Sequence, residues 1–292
     1  MLVSCGTRPQ LPLPTDAAHA SSMPSRAAHL ASLPINSGDK AVYSPSKAVP
    51  LPPRSTDSWP EFTKPAYSYA REIHGGAGTL VRGDRDKKLL ALTFDDGPHS
   101  FSTPELLALL KRTHTVATFF VIGKQVDQFP NLVKMEVDQG DEVGDHTYDH
   151  VSLTQIPPEL IPYELDKCRE SVMRASGGYV VHYFRPPGGD YNREVLRQAV
   201  SRSYVTTLWT DDPGDYTRPS PDVVLQRLLD HLENGGIILL HDGIVQTMDI
   251  LPAFIAEARR RGYEFVTVSD LQKSLSPSPP SPKLAQRPVD KA

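Results

Sequence analysis

From about Arg82 to Gln272, short apolar or β-branched runs alternate with amphipathic stretches about seven times. Few folds accommodate such a pattern. The runs predict strands near 88–93, 116–122, 141–145, 179–184, 204–209, 236–241 and 263–268, each bounded by Gly, Pro or Asp. Between them, Thr103 and Pro104 predict a helix start ahead of the stripe Leu106, Leu107, Leu110. Ser220 and Pro221 do the same for Val223 to Leu232, with a stop at Gly235. Strand–helix alternation calls for parallel strands joined by helical crossovers. Closing that sheet gives a barrel with its site at the carboxyl ends of the strands; an open doubly wound sheet has the same periodicity.

The flanks lack this pattern. Residues 1–75 are rich in Pro, Ala and Ser without an apolar period, and 274–292 repeat Ser and Pro; both are expected to be linkers around one domain at 82–272. With 31 basic and 35 acidic residues and a net charge of -4, the chain has no electrostatic footprint for nucleic acid. No apolar run reaches the roughly 18 residues a membrane span needs. The two cysteines offer no disulfide framework, and Cys168 falls in the helical set Leu165, Cys168, Val172, which assigns it to the core. The segment Leu2-Val3-Ser4-Cys5-Gly6 is similar to the end of a bacterial lipoprotein signal, without the charged and apolar stretch that should come first. The expectation is an extracytoplasmic monomer, secreted or lipid-anchored through Cys5, on a tether that spans roughly 40–50 Å if flexible.

Polar residues gather just after the predicted strands. Asp95-Asp96-Gly97-Pro98 follows the first; two carboxylates there need a cation or an arginine to neutralise them, although such a tetrapeptide alone is an ordinary turn. Asp145-His146-Thr147-Tyr148-Asp149-His150 follows the third, and histidines four apart can converge on one ion or simply share a solvated helix face. Arg185-Pro186-Pro187-Gly188-Gly189-Asp190 follows the fourth, Asp212 to Tyr216 the fifth, and His241-Asp242 the sixth. Each motif has an ordinary structural explanation. Five strand ends together supply ligands, a free carboxylate, a cation, an orienting acid and a spare imidazole, the set that metal-assisted hydrolysis requires.

These motifs, in this order, resemble the polysaccharide deacetylases of the NodB-homology type, carbohydrate esterase family four, over about 190 residues. The resemblance implies an α/β fold, a distorted (β/α)7 barrel. It implies that Asp95 is the general base and that Asp96, His146 and His150 hold a divalent metal, with zinc first and cobalt or manganese as alternatives. It also implies that Arg185 sits beside the base, that Asp215 orients His241 as the general acid, and that Leu239 meets the acetyl methyl group. Pro187, Gly188, Gly189 and Tyr216 would face the sugar. In two places the chain departs from the family: Gly188 stands where an aromatic is common, and Tyr216 replaces a tryptophan.

The reaction so implied is removal of N-acetyl groups from N-acetylhexosamine units, on peptidoglycan or on chitin oligomers. O-acetyl ester hydrolysis on a xylan-type glycan would use the same residues, and a carbohydrate-binding pseudoenzyme would keep the fold alone.

Overall fold

A computed structural model describes residues 78–275. The expected tether at 1–75, the anchor at Cys5 and all but the first two residues of the 274–292 tail lie outside the described residues. Ser274 and Leu275 are held: the Ser274 carbonyl accepts from Lys87 Nζ at 2.7 Å, and Leu275 packs on the core.

All seven predicted strands form: β2 (Leu89–Asp95), β3 (Thr118–Val121), β4 (Glu142–Asp145), β5 (Tyr183–Phe184), β6 (Val205–Thr207), β7 (Gly236–His241) and β8 (Glu264–Val266). An additional short strand, β1 (Thr79–Leu80), pairs in parallel with β6. β2 runs through Asp95, so the acid is part of the strand. β5 is shorter than expected; Tyr179 lies outside it, and its hydroxyl accepts the Val143 N–H at 3.2 Å.

Every strand pair is parallel, in the order β1-β6-β5-β4-β3-β2-β7. The segment after β6 then meets β7, where Asp211 bridges Ile238 and accepts the Leu239 N–H at 2.9 Å. That contact closes the ring and gives a distorted barrel rather than an open sheet. β8 is not a separate stave. It pairs with Leu89–Ala91 of β2, below the stretch Thr93–Asp95 that pairs with β3.

Helices α1 (Ser102–Thr113), α2 (Gly123–Gln128), α3 (Pro130–Gln139), α4 (Ile161–Ser176), α5 (Arg193–Ser201), α6 (Pro221–Asp230) and α7 (Val245–Arg260) occupy the connections, and α8 (Val268–Lys273) follows β8. None among the described residues is long and apolar enough to cross a membrane. The predicted caps need correction. Ser220 takes the N-cap position of α6, but its side chain makes no capping bond, and the helix ends at Asp230, short of Gly235. Thr103 lies inside α1; its hydroxyl accepts the His99 N–H at 2.7 Å and donates to the buried Asp242 carboxylate, a charge-assisted bond, so it caps no N–H of the helix start.

Strand alternation sorts the core into two faces. Leu90, Leu92 and Phe94 of β2 pack outward with Phe119, Val121, Ile238 and Leu240 against the helices, where Cys168 is also buried. Ala91 of β2 faces inward with Phe120, Tyr183 and Ile237, and Val268 and Leu271 of α8 pack against them. Further along each strand the inward face turns polar: Ala91 leads to Thr93 and Asp95, Tyr183 to Arg185, and Ile237, through Leu239, to His241. The period-two rule thus sets an apolar interior beneath a polar mouth.

Candidate metal centre and active site

The turn after β2 puts Asp96 in a left-handed backbone, φ 73°, and the loop after β4 does the same at Thr147, φ 65°, and His150, φ 56°. With Arg218, these are four of the six non-glycine residues in that region among the described residues, and such strain persists where a site needs it. The result is convergence: ligand atoms of Asp96, His146 and His150 all lie within 4.8 Å of one another. Asp96 Oδ1 is 3.5 Å from His146 Nε2 and 3.1 Å from His150 Nε2. The two histidines therefore meet across a loop, not on a helix face.

The donor set suits a divalent ion. His146 Nδ1 lies 2.8 Å from the Arg185 carbonyl, which fixes the Nδ1–H tautomer and leaves the Nε2 lone pair directed at Asp96. Asp96 Oδ1 is buried with no conventional hydrogen-bond donor of its own. Burial disfavours its charge, but His146 and His150 outweigh that and hold the carboxyl well below the usual carboxylate range. Two imidazoles and a carboxylate are a donor set that would hold a divalent transition ion.

The loop carrying the two histidines is held from below. Asp145 Oδ1 accepts the Thr147 N–H at 2.7 Å and Oδ2 the Tyr204 hydroxyl at 2.7 Å; burial pushes its carboxyl up to about 7. Glu164 Oε2 accepts the N–H groups of Tyr148 and Asp149 at 3.0 and 2.9 Å.

Asp95, on the strand beside this cluster, has its two oxygens divided between two neighbours. Oδ1 accepts from Arg185 Nη1 at 2.6 Å, and Oδ2 stands 3.7 Å from His146 Nε2. Arg185 is fully buried. Its guanidinium also reaches Thr93 Oγ1 at 2.8 Å and the carbonyls of Thr207 and Leu208, and lies 4.1 Å from the Phe120 ring centroid. A buried ion pair is worth keeping only when its remaining donors are met, and here they are.

Across the mouth, Asp215 is wholly buried and Oδ1 lies 2.7 Å from His241 Nδ1. Oδ2 accepts the His241 backbone N–H at 2.8 Å and the Thr247 hydroxyl at 2.6 Å. Burial works against the His241 charge, but Asp215 more than offsets it and pushes the imidazole up to about 9. The Tyr216 ring stands edge-on to His241, centroids 5.2 Å apart.

Asp96, His150, His241 and Tyr216 line one cavity of about 670 Å³. Leu239 is buried on the inner face two residues before His241 and, like the Pro187–Gly189 turn, does not line that cavity. Gly188 and Gly189 have φ of 64° and 73°, which a side chain would resist. The motifs gave no sign of Thr93, Glu164 or Thr247. Glu164 and Thr247 are lone polar residues on α4 and α7, and Thr93 shares β2 with Asp95; only folding shows what each contacts. Asp145 was legible in one respect, as the acid directly preceding His146.

Known proteins are similar to this chain in sequence and in fold. Residues 82–206 match the polysaccharide deacetylase family model. A peptidoglycan-N-acetylglucosamine deacetylase of Bacillus cereus is 35% identical over 191 residues, 64% of this chain and 89% of that protein. A chitooligosaccharide deacetylase of Bradyrhizobium is 33% identical over 187 residues, 59% of this chain and 85% of that one. Among solved structures, a CE4 family pseudoenzyme from Bacillus anthracis superposes with a TM-score of 0.65 at 30% identity, covering 68% of this chain and 70% of that one. The fold, the motif order and these similarities lead to one statement: the chain belongs to the polysaccharide deacetylase family.

Proposed function

We propose that this chain hydrolyses N-acetyl groups on N-acetylhexosamine units of a polysaccharide, with peptidoglycan as the favoured substrate. The single observation that carries the reading is the pairing of an Asp96–His146–His150 cluster with two separately supported proton carriers, Asp95 on Arg185 and His241 on Asp215. When bound at that cluster, a divalent ion acidifies water and polarises the acetyl carbonyl. Asp95 Oδ2, on the side of the ligand cluster, takes the proton from the attacking water. Arg185 fixes the direction of that carboxylate through the 2.6 Å bond to Oδ1. His241 enters the cycle protonated and gives its proton to the departing amine, so no side-chain nucleophile is needed. In the Pro187–Gly189 turn, the Gly189 N–H already donates to the Pro186 carbonyl at 2.9 Å and proline has none, which leaves the Gly188 N–H as that turn's donor to the developing oxyanion. Leu239 provides an apolar wall for the acetyl methyl group.

Asp95 and His241 would be free to drift in a protein that only bound sugar, and both stand here in supported geometry. Peptidoglycan is favoured by the composition of residues 1–75 and by Cys5, which fit an enzyme working outside the cytoplasm on the wall. Acetate release from peptidoglycan, chitin oligomers and acetylated xylan, run in parallel, tests the reading. We expect amine-generating turnover on the first two to exceed ester cleavage; ester cleavage alone would replace this reading with an O-acetyl esterase.

The acid assignment makes a pH prediction. A general acid must be protonated, so activity falls as pH rises through the His241 pKa. Asp215 raises that pKa. Asp215→Asn should therefore move the alkaline limb of kcat/KM to lower pH by roughly one unit or more. A limb that stays in place would remove His241 from the role of acid.

A further inference from the structure

The cavity beside the ligand cluster extends beyond the groups that deacetylation uses. Nine large hydrophobic side chains are exposed among the described residues, and three of them, Phe101 (69%), Val245 (54%) and Tyr216 (47%), line this one cavity. Exposed apolar surface gathered around a polar cleft marks a binding face, and sugar rings present apolar C–H faces of that kind.

Arg218 lines the same cavity, is exposed, and has no hydrogen-bond or ion-pair partner for its guanidinium among the described residues. Its backbone is left-handed, φ 55° and ψ 47°, directly before Pro219, although a residue preceding proline favours extended backbone and glycine or asparagine would fit the turn with less strain. The Arg218 N–H donates to the Asp215 carbonyl at 2.8 Å, which ties the arginine to the turn that supports His241. The cavity's own acids are engaged elsewhere: Asp96 faces the two histidines, and Asp242 accepts the Ser102 hydroxyl at 2.6 Å and the Thr103 hydroxyl. One positive charge is therefore unmatched at the mouth.

We propose that Arg218 binds a carboxylate on the sugar unit next to the one being deacetylated, with that unit's apolar face against Phe101 and Val245. The chain then prefers an acidic N-acetylated glycan to a neutral one. The guanidinium offers a planar pair of donors that matches a carboxylate. The proposal rests on the reading above and names the class of glycan.

Three substrates of one length decide it: oligomers of alternating N-acetylglucosamine and N-acetylmuramic acid with free lactyl carboxylates, the same oligomers with those groups amidated, and the same oligomers carrying stem peptides. For the unmodified chain, kcat/KM on the free acid should exceed that on the amide by roughly tenfold or more, as expected for a charge-assisted pair. In Arg218→Gln that ratio should fall to near one, and Arg218→Lys should keep part of it. Preference for the peptide-bearing arm over the free acid would place the recognised carboxylate on the peptide. A chain that does not distinguish acid from amide, or a folded Arg218→Gln protein with the preference intact, overturns the proposal. Should no arm release acetate, the deacetylase reading fails, yet calorimetric titration of the acid and amide oligomers into both proteins still decides this one: the acid's tighter Kd must vanish in Arg218→Gln.

Discussion

Asp95→Asn is expected to keep its full complement of metal and lose roughly 10²–10⁴-fold in turnover, the range for removing a general base. Asp96→Asn is expected to lose metal first, and excess zinc should recover part of its rate. The two carboxylates are neighbours of the same type, but the backbone sends them to different partners. Asp95 is the last residue of β2, 3% exposed, and commits Oδ1 to Arg185. Asp96 sits one residue later in a left-handed turn, which swings its carboxylate to both histidines. Arg185→Ala serves as the internal control. It removes the cation from a buried pair, so it should cost turnover heavily in the unmodified chain and add little on top of Asp95→Asn, because residues acting as a unit are non-additive. Metal analysis and kinetics on the four variants check this directly. An Asp95→Asn protein without metal, or an inactive Asp96→Asn protein with metal, would reverse the two assignments.

The fold was legible from the sequence wherever the information is local. Period-two alternation carried Ala91, Thr93 and Asp95 onto one face, and His241 onto the same face as Ile237, so the strand ends could be read as one polar mouth. What stayed hidden depends on contacts between distant segments. The closure at Asp211 and Ile238, and the placement of β8 on the lower half of β2, are pairings that no periodicity encodes. Tertiary context overrode the capping signal at Thr103, since its hydroxyl found the Asp242 carboxylate. The left-handed residues Thr147 and His150 were also hidden, because neither residue type announces positive φ as glycine does. Nothing in the sequence singled out Phe101 or Val245; only the folded chain shows them exposed and lining the same cavity.

The largest effect is expected from removing the ion itself. The three proposed ligands would contribute one carboxylate and two imidazoles, and the supports beneath them are internal: the Arg185 carbonyl on His146, Asp145 on Thr147 and Glu164 on the loop between the histidines. Because those supports do not involve the ion, a stripped chain should stay folded. Its chemistry should stop, since Asp95 alone would have to activate a water of ordinary acidity. Protons compete with metal for the imidazoles, so loading should also weaken as pH falls. The measurement that tests the central claim is acetate release from N-acetylated peptidoglycan by protein stripped exhaustively with chelator, before and after addition of zinc, with circular dichroism confirming the fold. The prediction is no detectable release from the stripped, folded chain and recovery with zinc, cobalt or manganese; undiminished release without metal would contradict the account.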